Sequence, residues 1–226
     1  MGDRSLLEEY LAGEYVKGTT RSVWREAARN ALTTLELPIQ RQRAKRLAQR
    51  TSPLMLHLGC GDNYKHGWVN IDLARPGRKL DLKWDLRRGI PFPSQSVVAI
   101  VSEHLFEHID LVGALSLLRE CRRVMKAGGV IRVGVPNLER YIKSYLGGDP
   151  IINAVRPGRP TSAIAFSEIY LFHGHQTMYD VETLTLLLHE AGFRDAESSD
   201  YGTGWICPSP DSEFRKAETL YVQARA

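Results

Sequence analysis

Leu54-Met-Leu-His-Leu-Gly-Cys-Gly-Asp-Asn63 is the stretch whose reading decides the fold. Its apolar run, Leu54–Leu58, has the pattern of a short buried strand, and Gly59-Cys60-Gly61 closes it with a turn where backbone meets little side chain. After a short loop, Trp68-Val-Asn-Ile-Asp72 repeats the pattern and ends on an acid. Leu80–Trp84 is a weaker third strand, followed by Asp85, and the β-branched run Val97–Ser102 is the fourth. Leu111–Met125 reads as an amphipathic helix with Leu115, Leu118, Cys121 and Val124 on one stripe. Ala127-Gly-Gly129 stops it and Val130–Val135 is the fifth strand. Asp180–Ala191 is a last helix, N-capped by Asp180 and ended by Gly192, and strands near Phe193–Ser198 and Leu220–Ala224 follow. Strands alternating with helices predict a parallel α/β sheet. Residues 136–172 look irregular, and 136–180 reads as a lid or substrate insertion.

Upstream of the sheet the pattern is helical. Leu6, Leu7, Tyr10 and Leu11 form one apolar stripe; Val23, Trp24, Ala27, Ala28, Ala31, Leu32 and Leu35 form a second. Ser22 is a candidate cap, and Pro38 is expected to end the second helix or start a third. The expected division is therefore a helical extension over 1–50 and a main domain over 51–226. The charge follows that division: residues 1–50 carry 10 Lys/Arg against 6 Asp/Glu, whereas 51–226 carry 20 of each. All of the net +4 thus lies in the extension, densest in Arg41-Gln-Arg-Ala-Lys-Arg-Leu-Ala-Gln-Arg50. A nucleic-acid partner would be met there, but no aromatic is interleaved for base stacking, so a solvated helical face is the plainer expectation.

Composition excludes several classes. With 43% apolar residues in 226, whole-chain disorder and low complexity are out. No run approaches the ~18 apolar residues of a membrane span, and the first residues carry acids where a signal peptide would carry an apolar segment. Cys60, Cys121 and Cys207 are too scattered for a disulfide framework or a cysteine zinc site, which fits a cytoplasmic protein.

In open α/β sheets ligands collect beyond the carboxyl ends of the strands. There this chain places Gly59 and Gly61, Asp72 (able to accept from a ribose diol), Asp85 (able to accept from an exocyclic amine) and Ser102-Glu-His104. Together they describe a nucleoside pocket. A dinucleotide does not suit it: 13 positions separate Gly59 from Asp72, against ~20 in the dinucleotide fingerprint, and the third glycine is missing. The connection is too short for a crossover helix, so a pyrophosphate would lack its helix N-terminus. S-adenosylmethionine (SAM) is the common nucleoside cofactor without a phosphate.

These motifs resemble class I SAM-dependent methyltransferases of the small-molecule and glycan type. The resemblance runs in order through Leu54–Asn63, Gly67-Trp-Val-Asn-Ile-Asp-Leu73, Asp85-Leu86 with Ile90-Pro-Phe-Pro93, Ser102-Glu-His-Leu-Phe-Glu-His108, Met125-Lys-Ala-Gly-Gly129 and Ala191-Gly-Phe193. It covers roughly 54–224 and leaves 1–50 aside. It implies a Rossmann-like seven-stranded sheet with helices on both faces. It also implies Gly59 and Gly61 against the methionine moiety, Asp72 and Leu73 at the ribose, Asp85 and Leu86 at adenine, and Ser102 to His104 bordering the transferred methyl. His57 stands where many members have an acid that meets the cofactor. The activity implied is methyl transfer, most simply O-methylation of a small molecule or sugar, with no metal required. His104 or His175 is expected near the acceptor, since an imidazole of ordinary pKa ~6.5 suits taking a hydroxyl proton.

Two rival readings use the same residues. His104-Leu-Phe-Glu107-His108 matches H-x-x-E-H, the inverted zinc-peptidase motif, which requires two imidazoles on one helical face. His173-Gly-His175 is a further pair with metal-like spacing. The other rival is a catalytically silent domain of the same fold that binds RNA or a protein through its basic N-terminal helices.

Overall fold

The computed structural model describes residues 23–73, 77, 79–171 and 173–226. The stripe Leu6–Leu11 and the Ser22 cap lie outside them. The first described element is one continuous helix, α1 (Val23–Arg50), which runs through Pro38. Pro38 was expected to break it, because proline removes one backbone donor inside a helix. What carries the helix past it is the main domain: Ala44 is buried, and Leu37, Leu47 and Ala48 pack against the same core. These positions share one helical face on both sides of the proline. Glu36 pairs with Lys83 at 2.6 Å, tying α1 to the third strand. The basic run from Arg41 to Arg50 lies mostly on the exposed side.

Seven strands form one sheet: β1 (Met55–Leu58), β2 (Val69–Asp72), β3 (Leu82–Lys83), β4 (Val97–Glu103), β5 (Met125–Pro136), β6 (Arg194–Ser199) and β7 (Thr219–Arg225). Their order is β3-β2-β1-β4-β5-β7-β6. β1 to β5 pair in parallel, as expected, but β7 runs antiparallel between β5 and β6, so the sheet is mixed. The fifth strand begins at Met125, directly after the helix. The amide of Gly128 donates to the Ala226 carbonyl and the amide of Ala226 to that of Gly129, so pairing with the chain's end draws the glycines into the sheet.

Two long helices follow the apolar stripes: α2 (Leu111–Val124), N-capped by Asp110 on Gly113 N, and, at the far end of the chain, Val181–Glu190, N-capped by Asp180 on Thr183 N. Their buried faces (Ala114, Leu118 and Cys121; Leu184 and Leu188) join the strand residues Leu56, Leu58, Ile71, Ile100, Ile131 and Val133 in the main core. The described part of the stretch 136–172, residues 136–171, is not irregular. It holds α3 (Leu138–Tyr145), α4 (Ile151–Val155) and α5 (Ser162–Leu171), and Val181–Glu190 is accordingly α6. These three helices enclose a small core of their own, from Tyr141, Ile151, Ile152, Ala165, Ile169 and Tyr170. Each helix is short, and the Pro and Gly residues of 147–160 interrupt the period by which they would be read.

Arg132, in the middle of β5, is buried, and its guanidinium forks onto Asp211 at 2.6 Å through both Nε and Nη2. It also donates to Ser199 Oγ and to the Asp200 carbonyl, and lies over the Tyr221 ring. This pair pins the connection between β6 and β7 to the sheet. Removing one member of a buried pair leaves the other charge uncompensated, at about 3–5 kcal/mol. Asp211→Asn is therefore expected to lower the urea unfolding free energy by about that amount, and a loss below about 1 kcal/mol would show that the connection is held by something else.

Candidate active site at the carboxyl edge of the sheet

The parallel register sets Leu58 beside both Ile71 and Ser102, so the chain leaves β1 between two strand ends. Gly59 and Gly61 both take positive φ there, +66° and +53°, which side chains disfavour. Space excludes one at Gly59 as well: a Cβ would lie 2.9 Å from Leu105 Cβ. The turn is sewn to β2. Gly59 N and Cys60 N donate to the Ile71 carbonyl, Gly61 N donates to Asp72 Oδ2 at 2.7 Å, and Leu73 N donates to Asp72 Oδ1 at 2.6 Å. Asn63 N closes back on the Cys60 carbonyl.

The amides that cradle a pyrophosphate in dinucleotide folds are thus used within the protein. Each oxygen of the partly exposed Asp72 carboxylate retains a second lone pair for hydroxyl donors. Gly59, Gly61, Asp72 and Leu73 are brought together in one place, and the donor and acceptor balance fits a phosphate-free nucleoside.

Asp85 follows β3 and caps the short 3-10 turn Leu86–Arg88, with Leu86 buried beneath it. Arg87 forks onto its carboxylate, Nε at 3.0 Å and Nη2 at 2.8 Å. Burial pushes this carboxyl up, but the hydrogen bonds and charge of Arg87 outweigh it and hold the group below the usual carboxylate range. The guanidinium is 54% exposed, so a ligand amine arriving at Asp85 would displace a solvated partner. Ser102 is fully buried at the end of β4 and its Oγ has no hydrogen-bond partner.

His57 lies in β1, two residues before Gly59. Its ring is buried and its Nδ1 lies 2.9 Å from Asn70 Oδ1 on the adjacent strand. That oxygen already accepts from Lys65 N, and the Asn70 amide donates to the Lys65 and Trp68 carbonyls and to Asp81.

Beyond β4 the chain makes the turn that carries the histidines. His104 has φ +54° and only Phe106–His108 form a 3-10 turn, so the α-helical face required by the inverted zinc-peptidase motif is absent. His104 Nε2 lies 2.8 Å from Thr219 Oγ1, and its Nδ1 lies 3.2 Å from Glu107 Oε1. Burial raises the Glu107 carboxyl, and the neighbouring His104 and His108 bring it down further than burial lifts it. His175 comes from the far side of α3–α5. Its loop is stitched to this turn, since Gln176 N and Thr177 N donate to the Glu107 carbonyl and Gln176 Nε2 to that of His108. The rings of His108 and His175 meet edge to face at 4.8 Å. Burial lowers the His175 pKa to about 4, so its imidazole is neutral near pH 7.

A buried network that sequence reasoning missed closes the other side. Glu103 pairs with Lys65 at 2.9 Å and accepts from Ser212 N, Ser212 Oγ, Asn63 Nδ2 and Tyr221 Oη. Burial raises the Glu103 carboxyl, while Lys65 and Ser212 lower it by more. Lys65 Nζ also donates to the Pro210 carbonyl. No local signal marks these partners, because they lie far apart in the chain.

The neutrality of His57 has a measurable consequence. Burial lowers its pKa from 6.5 to about 4. Below pH 6.5 the unfolded chain binds a proton that the folded chain refuses, so stability falls as pH drops through that window, by up to roughly 3 kcal/mol. His57→Gln keeps an amide donor for Asn70 but cannot titrate. Its stability should fall less steeply than the wild type's between pH 6.5 and 4, and superimposable profiles would show that His57 is protonated in the fold.

Comparison with known proteins agrees with this geometry. A family model described as a methyltransferase domain matches residues 72–133, from the acid closing β2 into β5. A Mycolicibacterium smegmatis protein described as a probable S-adenosylmethionine-dependent methyltransferase is 28% identical over 177 residues, 70% of this chain; the match covers 65% of that protein. The crystal structure of a SAM-dependent methyltransferase from Archaeoglobus fulgidus superposes over 84% of this chain and 94% of its own, with a TM-score of 0.50 at 16% identity. Among the described residues no helix is long and apolar enough to cross a membrane. The glycine turn, the strand-end acids and the 3-2-1-4-5-7-6 sheet thus belong to a chain that resembles SAM-dependent methyltransferases in fold and, over residues 72–133, matches a methyltransferase domain.

Proposed function

We propose that this chain transfers the methyl group of S-adenosylmethionine to a hydroxyl of a small molecule or sugar. The observation that carries the reading is the contact between the two turns: Leu105, next after His104 and two residues before Glu107, packs directly on Gly59. An imidazole cluster therefore borders the turn assigned to the methionine end of the cofactor. In this reading Gly59 and Gly61 receive that end, Asp72 and Leu73 hold the ribose, Asp85 and Leu86 meet adenine, and Ser102 lies beneath the methyl.

The acceptor oxygen attacks the methyl carbon in line. The carbon–sulfur bond breaks, its electron pair stays on sulfur, and the sulfonium becomes a neutral thioether. The hydroxyl proton passes to the unprotonated ring nitrogen of His104, and the Glu107 carboxylate stabilises the imidazolium that forms. His175 borders the acceptor from the insertion. The remaining work is to hold the two reactants in line and exclude water.

Calorimetric titration with S-adenosylmethionine and S-adenosylhomocysteine tests the cofactor half. Asp72→Ala should weaken both by ~1–3 kcal/mol, the worth of a hydrogen bond to a charged group, and unchanged affinity would place the ribose elsewhere. The acceptor half is tested by transfer of labelled methyl to a panel of hydroxyl compounds. For an accepted compound, His104→Ala should lower kcat by about 10²–10⁴ while leaving cofactor affinity unchanged. Wild-type protein that binds cofactor and transfers no methyl, but binds RNA with steep salt dependence through the exposed face of α1, would favour the silent binding module instead.

A further inference from the structure

Glu107, His108 and His175 present ligand atoms that all lie within 4.8 Å of one another. Two segments far apart in the chain bring them together, and the hydrogen bonds from residues 176 and 177 to the 107–109 backbone fix that approach. A second observation points to a ligand. Glu107 is 1% exposed, and beyond the 3.2 Å approach of His104 Nδ1 to Oε1 its carboxylate has no polar partner, Oε2 having none. His175 Nδ1 and the hydroxyl of the adjoining Tyr170, two more buried polar atoms, also lack one. A buried carboxylate with one oxygen left unbonded beside two imidazoles is costly, because buried polar groups are ordinarily satisfied. A cation would satisfy the carboxylate and the imidazole nitrogens at once.

We propose that Glu107, His108 and His175 bind one divalent transition-metal cation. Two imidazoles and a carboxylate are the donor set of zinc and ferrous sites, whereas calcium and magnesium prefer all-oxygen cages. A metal about 2.1 Å from each ligand needs ligand atoms about 3–4 Å apart, so side-chain rotations of about 1 Å complete the set from the present arrangement. His104, beside Glu107 and anchored on Thr219, then serves as an outer-shell group that orients the carboxylate. This differs from the inverted zinc-peptidase pattern: Glu107 is a ligand here, and the third ligand comes from the insertion. The site stands on its own geometry and does not depend on the proposed methyl transfer.

The test is calorimetry of the full-length chain with zinc chloride after treatment with a chelator, with metal content measured by mass spectrometry. A Cys207→Ser background removes the exposed thiol, a competing zinc ligand. One equivalent should bind. His175→Ala should weaken it by more than the roughly 100-fold that loss of an outer-shell partner costs, and His104→Ala by about 10–100-fold. His189→Ala, an exposed histidine at the end of α6, should bind like the parent. Because His175 is only partly buried, its replacement keeps the test open should Glu107→Gln fail to fold. No zinc binding by the parent, or equal affinity in His175→Ala, would overturn the proposal. Either result would leave cofactor titration with S-adenosylmethionine as an independent measure of the methyltransferase reading.

Discussion

The stitch between the glycine turn and the end of β2 is the contact on which the site depends. Two of its amides close on the Ile71 carbonyl and one on Asp72, so the turn is shaped by β2 and not by a ligand. This follows from a connection too short to form a helix. With no helix N-terminus and its amides already used, the turn has little to offer a phosphate. What it presents is carboxylate lone pairs, which suit hydroxyl donors and tolerate a nearby positive charge. Selection for a phosphate-free nucleoside is thus a consequence of loop length. The parallel register Leu58↔Ile71 supports the arrangement, because a slip by one residue would turn Asp72 to the opposite face.

On the other side of β1, two neighbouring strands carry buried charges: Glu103 on β4 and Arg132 on β5. Both reach for partners in the connection between β6 and β7, Glu103 to Ser212 and Arg132 to Asp211. Buried pairs of this kind add little net stability over an apolar packing, but they are costly to break. Their effect is therefore to hold residues 199–212 in one position across the carboxyl edge of the sheet. Lys65, from the loop after the glycine turn, joins the same network through Glu103 and Pro210. The turn and the late connection are thereby locked to each other.

Local patterns revealed the elements whose burial is either continuous or confined to one helical stripe. β1, β2 and β4 are short apolar runs, α2 and α6 have one clean stripe each, and both helices begin at an Asp that caps them. The resemblance in motif order then added the cofactor. The parts that stayed hidden depend on partners distant in sequence. β7 could not be read as antiparallel from its own residues. Pro38 looked like a helix end because the core under Ala44 and Leu47 is invisible in the helix's own sequence. Helices α3 and α5 expose large apolar residues, Ile142, Tyr145 and Leu171, so their apolar pattern is diluted. His57 stands where the resemblance places an acid that meets the cofactor. Only its cross-strand neighbour Asn70 reveals that the imidazole is built into the sheet.

Helices α3–α5 do more than cover an edge. Their small core sets Tyr170 against His175, while Tyr141 donates to Glu218 and Arg140 donates to the Ala217 carbonyl. Residues 217 and 218 lead directly into Thr219, the partner of His104. These helices therefore touch the imidazole turn from two directions, through His175 on one side and through the start of β7 on the other. A change in how α3–α5 pack would bear on His104 and His175 together and, through Leu105, on the glycine turn that β2 holds. Leu105 is thus the contact that joins two turns whose other contacts belong to different parts of the chain, β2 for one and α3–α5 with the start of β7 for the other.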